Sequence, residues 1–112
     1  MFLSNSPKLM SIKEIDISDC SGLTEMGVNT LLISPFCKNV RYLNVSGTYI
    51  LDTSVETISL KSSIKTLILN NCRNENDSGI DLSKMKLEKL EALGVKLDLN
   101  LNETLKVLKI DQ

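Results

Sequence analysis

Three cysteines, Cys20, Cys37 and Cys72, are the most reactive side chains in this sequence, and there is no histidine to act with them. A histidine is the commonest general base and metal ligand, so its absence removes most routes to nucleophilic or metal-assisted catalysis. The cysteines are too far apart for zinc spacing and form no C-x-x-C pair. A reactive thiol needs an electropositive, exposed setting, and Asp19 beside Cys20 provides the opposite charge. Small, buried structural thiols are therefore expected. Glu14 and Asp16, two residues apart, have the look of an acid pair but fit a solvated strand face better. The stretch from Asn70 to Asp77 is rich in oxygen-bearing side chains. It lacks the ligand order of a calcium loop, and its residue types are those of a turn. Gly22, Gly27, Gly47, Gly79 and Gly94 stand singly, so no phosphate-cradling loop is present. The chain is expected to be no enzyme, with no catalytic set, no metal site and no cofactor.

The elements that carry these residues repeat. Residues 12–20, 40–48 and 64–72 all read apolar-x-x-apolar-x-apolar-x-x-Cys/Thr, with Ile12, Ile15, Ile17 and Cys20 matched by Val40, Leu43, Val45 and Thr48, and then by Ile64, Leu67, Leu69 and Cys72. The starts are offset by 40 − 12 = 28 and 64 − 40 = 24 residues. The alternation predicts short strands with one buried face. A single strand cannot bury its apolar row alone, so the units must stack into one parallel sheet. Parallel neighbours need a crossover, usually helical. Residues 24–32 are expected to form one such helix, with Val28, Leu31 and Leu32 on one face and Pro35 beyond its end. Residues 52–60 form a second, with Thr53 and Glu56 at capping-box spacing. Residues 78–82 are a weaker third.

Two registers fit the fourth unit. One starts at Leu87 and places Leu90 and Ala92 inward. The other starts at Leu90 and places Leu93 and Val95 inward, and it is preferred because those side chains are larger. A fifth strand is expected at residues 105–110, reached through an extended crossover in which Leu97, Leu99 and Leu101 alternate. All 112 residues then form one domain of about four to five units, the last ones irregular or truncated.

At these residues the chain resembles the cysteine-containing leucine-rich repeats. They are found in the substrate-recognition arms of F-box proteins and in antagonist-of-mitotic-exit-like proteins. The matching stretches are Ile12 to Leu32, with its Asp19-Cys20-Ser21-Gly22-Leu23-Thr24 turn, and Cys37 to Asp52, with Thr48 in place of the closing cysteine. The third unit matches through its strand and Cys72. The resemblance implies an α/β leucine-rich-repeat solenoid, with a parallel sheet on the concave face and short helices on the convex face. It also implies a protein-binding module. The region before Ile12 is too short for an F-box, so the recognition arm of a ubiquitin ligase, cut from a longer chain, is the alternative. A structural repeat segment or a pathogen effector is a further one.

Alternation places Glu14, Asp16, Tyr42, Asn44, Thr66, Ile68 and Asn70 on the concave face, the expected binding surface for a protein partner. Tyr42 and an exposed Ile68 are its expected anchors. Under the preferred register Ala92, Gly94 and Lys96 follow, then Val107, Lys109 and Asp111. Thirteen basic against 14 acidic residues give a net charge of −1, which does not suit nucleic acid. The longest apolar runs are far below the roughly 20 residues that span a bilayer. The absence of a signal-like N-terminus and the odd number of cysteines lean towards the cytoplasm. The last strand would leave an open sheet edge, and end-to-end self-association is one way to cover it.

Overall fold

Strands that bury one apolar row gain most when each lies between two others, and the chain follows that logic. A computed structural model describes residues 12–20, 22, 27, 30, 31, 39–50, 56, 63–74, 79–98 and 105–110. They contain nine strands: β1 (Glu14–Asp16), β2 (Tyr42–Asn44), β3 (Tyr49–Ile50), β4 (Thr66–Ile68), β5 (Arg73–Asn74), β6 (Ile80–Asp81), β7 (Lys89–Ala92), β8 (Leu97–Asp98) and β9 (Val107–Ile110). Five form one parallel sheet in chain order, β1-β2-β4-β7-β9. The others make two-stranded parallel sheets, β3 with β5 and β6 with β8.

The register aligns Ile15 with Leu43, Leu43 with Leu67, Leu67 with Leu90 and Leu90 with Leu108. Leu43, Leu67 and Leu90 are fully buried. Val45, Leu69 and Ala92, two residues further on, point the same way into the core. Val40, Ile64 and Leu87 form a third buried row, with Ile12 and Leu105 packed at its ends. Each fully buried Leu, Ile or Val among them stabilises the fold by about 1.5–3 kcal/mol relative to leaving it in water.

The fourth unit corrects the preferred sequence register. Leu67 pairs with Leu90, so the unit starts at Leu87, 23 residues after Ile64 (87 − 64). Ala92 points inward and is fully buried, while Leu93 is 39% exposed. Lys89, Glu91 and Leu93 therefore occupy the outer face, in place of Ala92, Gly94 and Lys96.

The turns explain why. Asp19, Gly47, Asn71 and Gly94, each four residues after the central strand residue, all have positive φ, at 57°, 75°, 56° and 71°. Glycine, and after it Asn and Asp, adopt that conformation at least cost. The register starting at Leu90 would have put Leu97 there. These residues also continue the ladder around the turn: the N–H of Asp19 donates to the Ser46 carbonyl (2.8 Å), that of Gly47 to Asn70 (2.9 Å) and that of Asn71 to Leu93 (2.7 Å). Their side chains interlock. A Cβ on Gly47 would collide with the Asp19 carboxylate, and one on Gly94 would lie 2.5 Å from Asn71 Oδ1.

The crossovers divide into two kinds. Gly27, Thr30 and Leu31 are helical, as is Glu56; the rest of the two expected helices lies outside the described residues. The third expected helix is corrected. Ile80–Asp81 is a strand paired with Leu97–Asp98, and Gly79 precedes it at φ 95°, a value no right-handed helix contains. The crossover is extended, and it buries Ile80, Leu82, Met85 and Leu87. Leu97 is buried beside it, as the expected extended crossover requires; Leu99 and Leu101 lie outside the described residues.

Candidate functional site

The sheet face opposite the core gathers every residue expected to bind a partner. Its first row is Glu14, Tyr42, Thr66, Lys89 and Val107, and its second is Asp16, Asn44, Ile68, Glu91 and Lys109. Extending the register by two residues gives a third row of Ser18, Ser46, Asn70 and Leu93. Neighbouring strands lie about 4.8 Å apart, so each row is a continuous line of side chains across the sheet.

These residues differ in how free they are. Glu14 and Asp16 are exposed, and Tyr42, Asn44, Thr66 and Asn70 are half-buried. Ile68 is not the exposed anchor expected: it is only 8% exposed. It sits on the central strand between Asn44 and Glu91.

The two asparagines serve the fold as well as the face. Asn44 Oδ1 accepts the Ser46 N–H at 3.0 Å, the same bond that Asp16 Oδ1 makes to the Ser18 N–H at 2.9 Å. Asn70 spans strands instead. Its Nδ2 donates to Glu91 Oε2 at 2.6 Å, its Oδ1 accepts the Leu93 N–H at 2.8 Å, and its own N–H donates to Ser46 Oγ at 3.0 Å. Glu91 also meets Lys109 Nζ at 3.8 Å. Hydrogen bonds from Ser18, side chain first and backbone second, hold the Asp16 carboxyl below its ordinary range.

Sequence reading missed Lys89, Glu91 and Leu93, because the register of the fourth unit was displaced. With them the face runs from acidic at β1, through Tyr42 and the amides, to lysines mixed with Leu93 and Val107, the latter 43% exposed.

The cysteines split. Cys72 is buried, and its Sγ donates to the Val45 carbonyl at 3.1 Å. The same carbonyl accepts Thr48 Oγ1 at 2.6 Å and the Thr48 N–H at 3.2 Å. Burial pushes the Cys72 thiol up, against hydrogen bonds that pull it down. Burial prevails, and a buried thiol pushed up in this way is a poor nucleophile, as suits a turn-closer. Cys20, at the matching position in the turn after β1, is exposed rather than buried; among the described residues β1 ends the sheet order. Cys37 lies outside the described residues.

Among the described residues no group of three or more His, Cys, Asp or Glu is placed to hold a metal. Among them, too, no helix is long and apolar enough to cross a membrane. No family model and no solved structure matches the chain.

Proposed function

We propose that this chain is a leucine-rich-repeat solenoid of the cysteine-containing type, with its helices on the convex side, and that it binds a protein partner across the polar sheet face. The repeat reading is supported by chain-order parallel stacking, by the recurrent left-handed turn at Asp19, Gly47, Asn71 and Gly94, and by Thr48 and Cys72 closing successive turns on one carbonyl. The free thiols of Cys20 and Cys72 suit a reducing compartment such as the cytoplasm.

One observation carries the binding reading. The five strands line up a broad face of mixed character in register, with half-buried Tyr42 between acidic Glu14 and Asp16 on one side and Thr66 and Lys89 on the other. A tyrosine held by its neighbours gives up little conformational freedom on binding and makes a good anchor. Ile68, already covered, contributes support beneath rather than contact.

The test compares partner capture from lysate by the unaltered chain and by Tyr42→Ala, with folding of both checked by circular dichroism. The reading expects at least one partner whose capture falls by about tenfold or more. Capture of the same partners at the same level by both chains would remove the polar face as the site.

A further inference from the structure

We propose that copies of this chain stack head to tail, with β9 of one copy pairing in parallel with β1 of the next. The two strands end the sheet order among the described residues. In a parallel ladder alternate residues bond to opposite neighbours. Ile17 donates to Asn44 and Lys13 accepts from Tyr42, so the backbone groups of Glu14 and Asp16 are directed to the outer edge of β1. Val107 donates to Glu88, which by the same alternation directs the groups of Leu108 and Ile110 outward from β9. Those are the two halves of one ladder.

The side chains match in the same register. Ile12, Ile15 and Ile17 on the first edge and Leu105 and Ile110 on the last are partly buried hydrophobics packed against the core, and Leu108 is 40% exposed. Continuing the register that joins the internal strands would set Ile12 against Leu105, Ile15 against Leu108 and Ile17 against Ile110. Each pair would complete one of the three core rows. On the polar face Asp16 would meet Lys109. That row then runs Asp16, Asn44, Ile68, Glu91, Lys109 and the next copy's Asp16, so Lys109 sits between two carboxylates.

Charge selects this pairing over the others an open edge permits. On the outer face, β1 against β1 would bring Glu14 and Asp16 onto their own kind, and β9 against β9 would do the same for Lys109. Like charges directly opposite destabilise paired strands. On that face only the head-to-tail contact joins opposite signs; at the strand start the same register sets Lys13 against Lys106, just as Lys13 already stands against Arg41 and Arg41 against Lys65 within the chain. Such a contact is heterologous, so it generates longer stacks as concentration rises unless the rotation closes a ring.

Sedimentation velocity on the full chain at low salt, over a wide concentration range, tests the proposal with two surface variants. The unaltered chain is expected to shift from monomer to dimer and larger species. Lys109→Glu and Asp16→Lys are each expected to weaken association by about tenfold. An equimolar mixture of the two variants is expected to recover association, because both contacts between unlike chains then join opposite signs: the lysine introduced on β1 faces the glutamate introduced on β9, and the unaltered Lys109 faces the unaltered Asp16. Circular dichroism establishes that each variant is folded. The proposal is overturned if the unaltered chain stays monomeric at hundreds of micromolar, if both folded variants associate as it does, or if mixing them restores nothing.

Discussion

The middle of the sheet and its two flanks are built from the same residue pattern but are not equally buried. Leu43, Leu67 and Leu90 on β2, β4 and β7 are fully buried, whereas Leu108 on β9 is 40% exposed and Ile15 on β1 is half-buried. The turns repeat the contrast: Cys72, between two units, is 6% exposed, and Cys20, in the turn after the first of the described strands, is exposed. The lesson is that burial here is a property of position in the stack, not of residue type. A strand becomes core only when a neighbour lies on each side, which is the energetic basis of stacked repeats.

The comparison is broken most severely at its centre. Leu67→Ala removes a fully buried side chain with strands on both sides. It is expected to cost about 2–5 kcal/mol, while Leu108→Ala on the flank costs about 1 kcal/mol or less. Urea denaturation of both variants measures the difference; equal losses would mean that the flank is packed as tightly as the middle.

The turns give the next effect. Gly47→Ala forces a Cβ into a left-handed residue and against the Asp19 carboxylate, and should cost about 1–3 kcal/mol. Asn71→Gly, at the same turn position, removes a side chain that tolerates this backbone and should change stability by a few tenths of a kcal/mol. Thermal unfolding of the pair checks the ranking.

Thiol labelling sharpens the contrast without mutation of the core. In a Cys37→Ser background, Cys20 is expected to react in the folded state, and Cys72 only after denaturant is added. Fast labelling of Cys72 in the native protein would contradict its place beneath Thr48 and Val45.

The smallest effect is on pH dependence. Asp16 and Asp81 each accept bonds from a serine two residues on, and each titrates below its ordinary value of 3.8. A depressed carboxylate stabilises the folded state above its unfolded pKa, and that contribution is lost as pH falls through the folded value. Asp81→Asn should therefore show a shallower fall in stability below about pH 4 than the unaltered chain. Because both groups are exposed the difference is small.

The strands and turns of the first three units were legible because their pattern has one solution. Ile15/Ile17, Leu43/Val45 and Leu67/Leu69 alternate, and a small Cys or Thr follows at a fixed distance. The fourth unit was misread because Leu87, Leu90 and Leu93 recur every three residues, so apolar spacing fits twice. The left-handed turn resolves it: Gly94 aligns with Asp19, Gly47 and Asn71, all residue types suited to positive φ. The larger Leu93 and Val95 fit inward positions by volume, but the register follows the turn. The short helix expected at residues 78–82 failed for the same reason, since Gly79 adopts a backbone that helices exclude. The outer sheet face was legible as a list of positions through Asn70. The exposure of those positions was not. Ile68, on the central strand between Asn44 and Glu91, is buried, and no local pattern reports that.

The most direct test of a chain-order stack with a closed middle and open flanks is native-state hydrogen exchange resolved by residue. Amides of Val45 and Leu69, bonded to the Ile68 and Glu91 carbonyls, should exchange only through global unfolding. Those of Lys106 and Val107, bonded to Glu88 on the flank, should exchange by local fraying at least about tenfold faster. Uniform protection across all five strands at a concentration where the chain is monomeric would contradict the account.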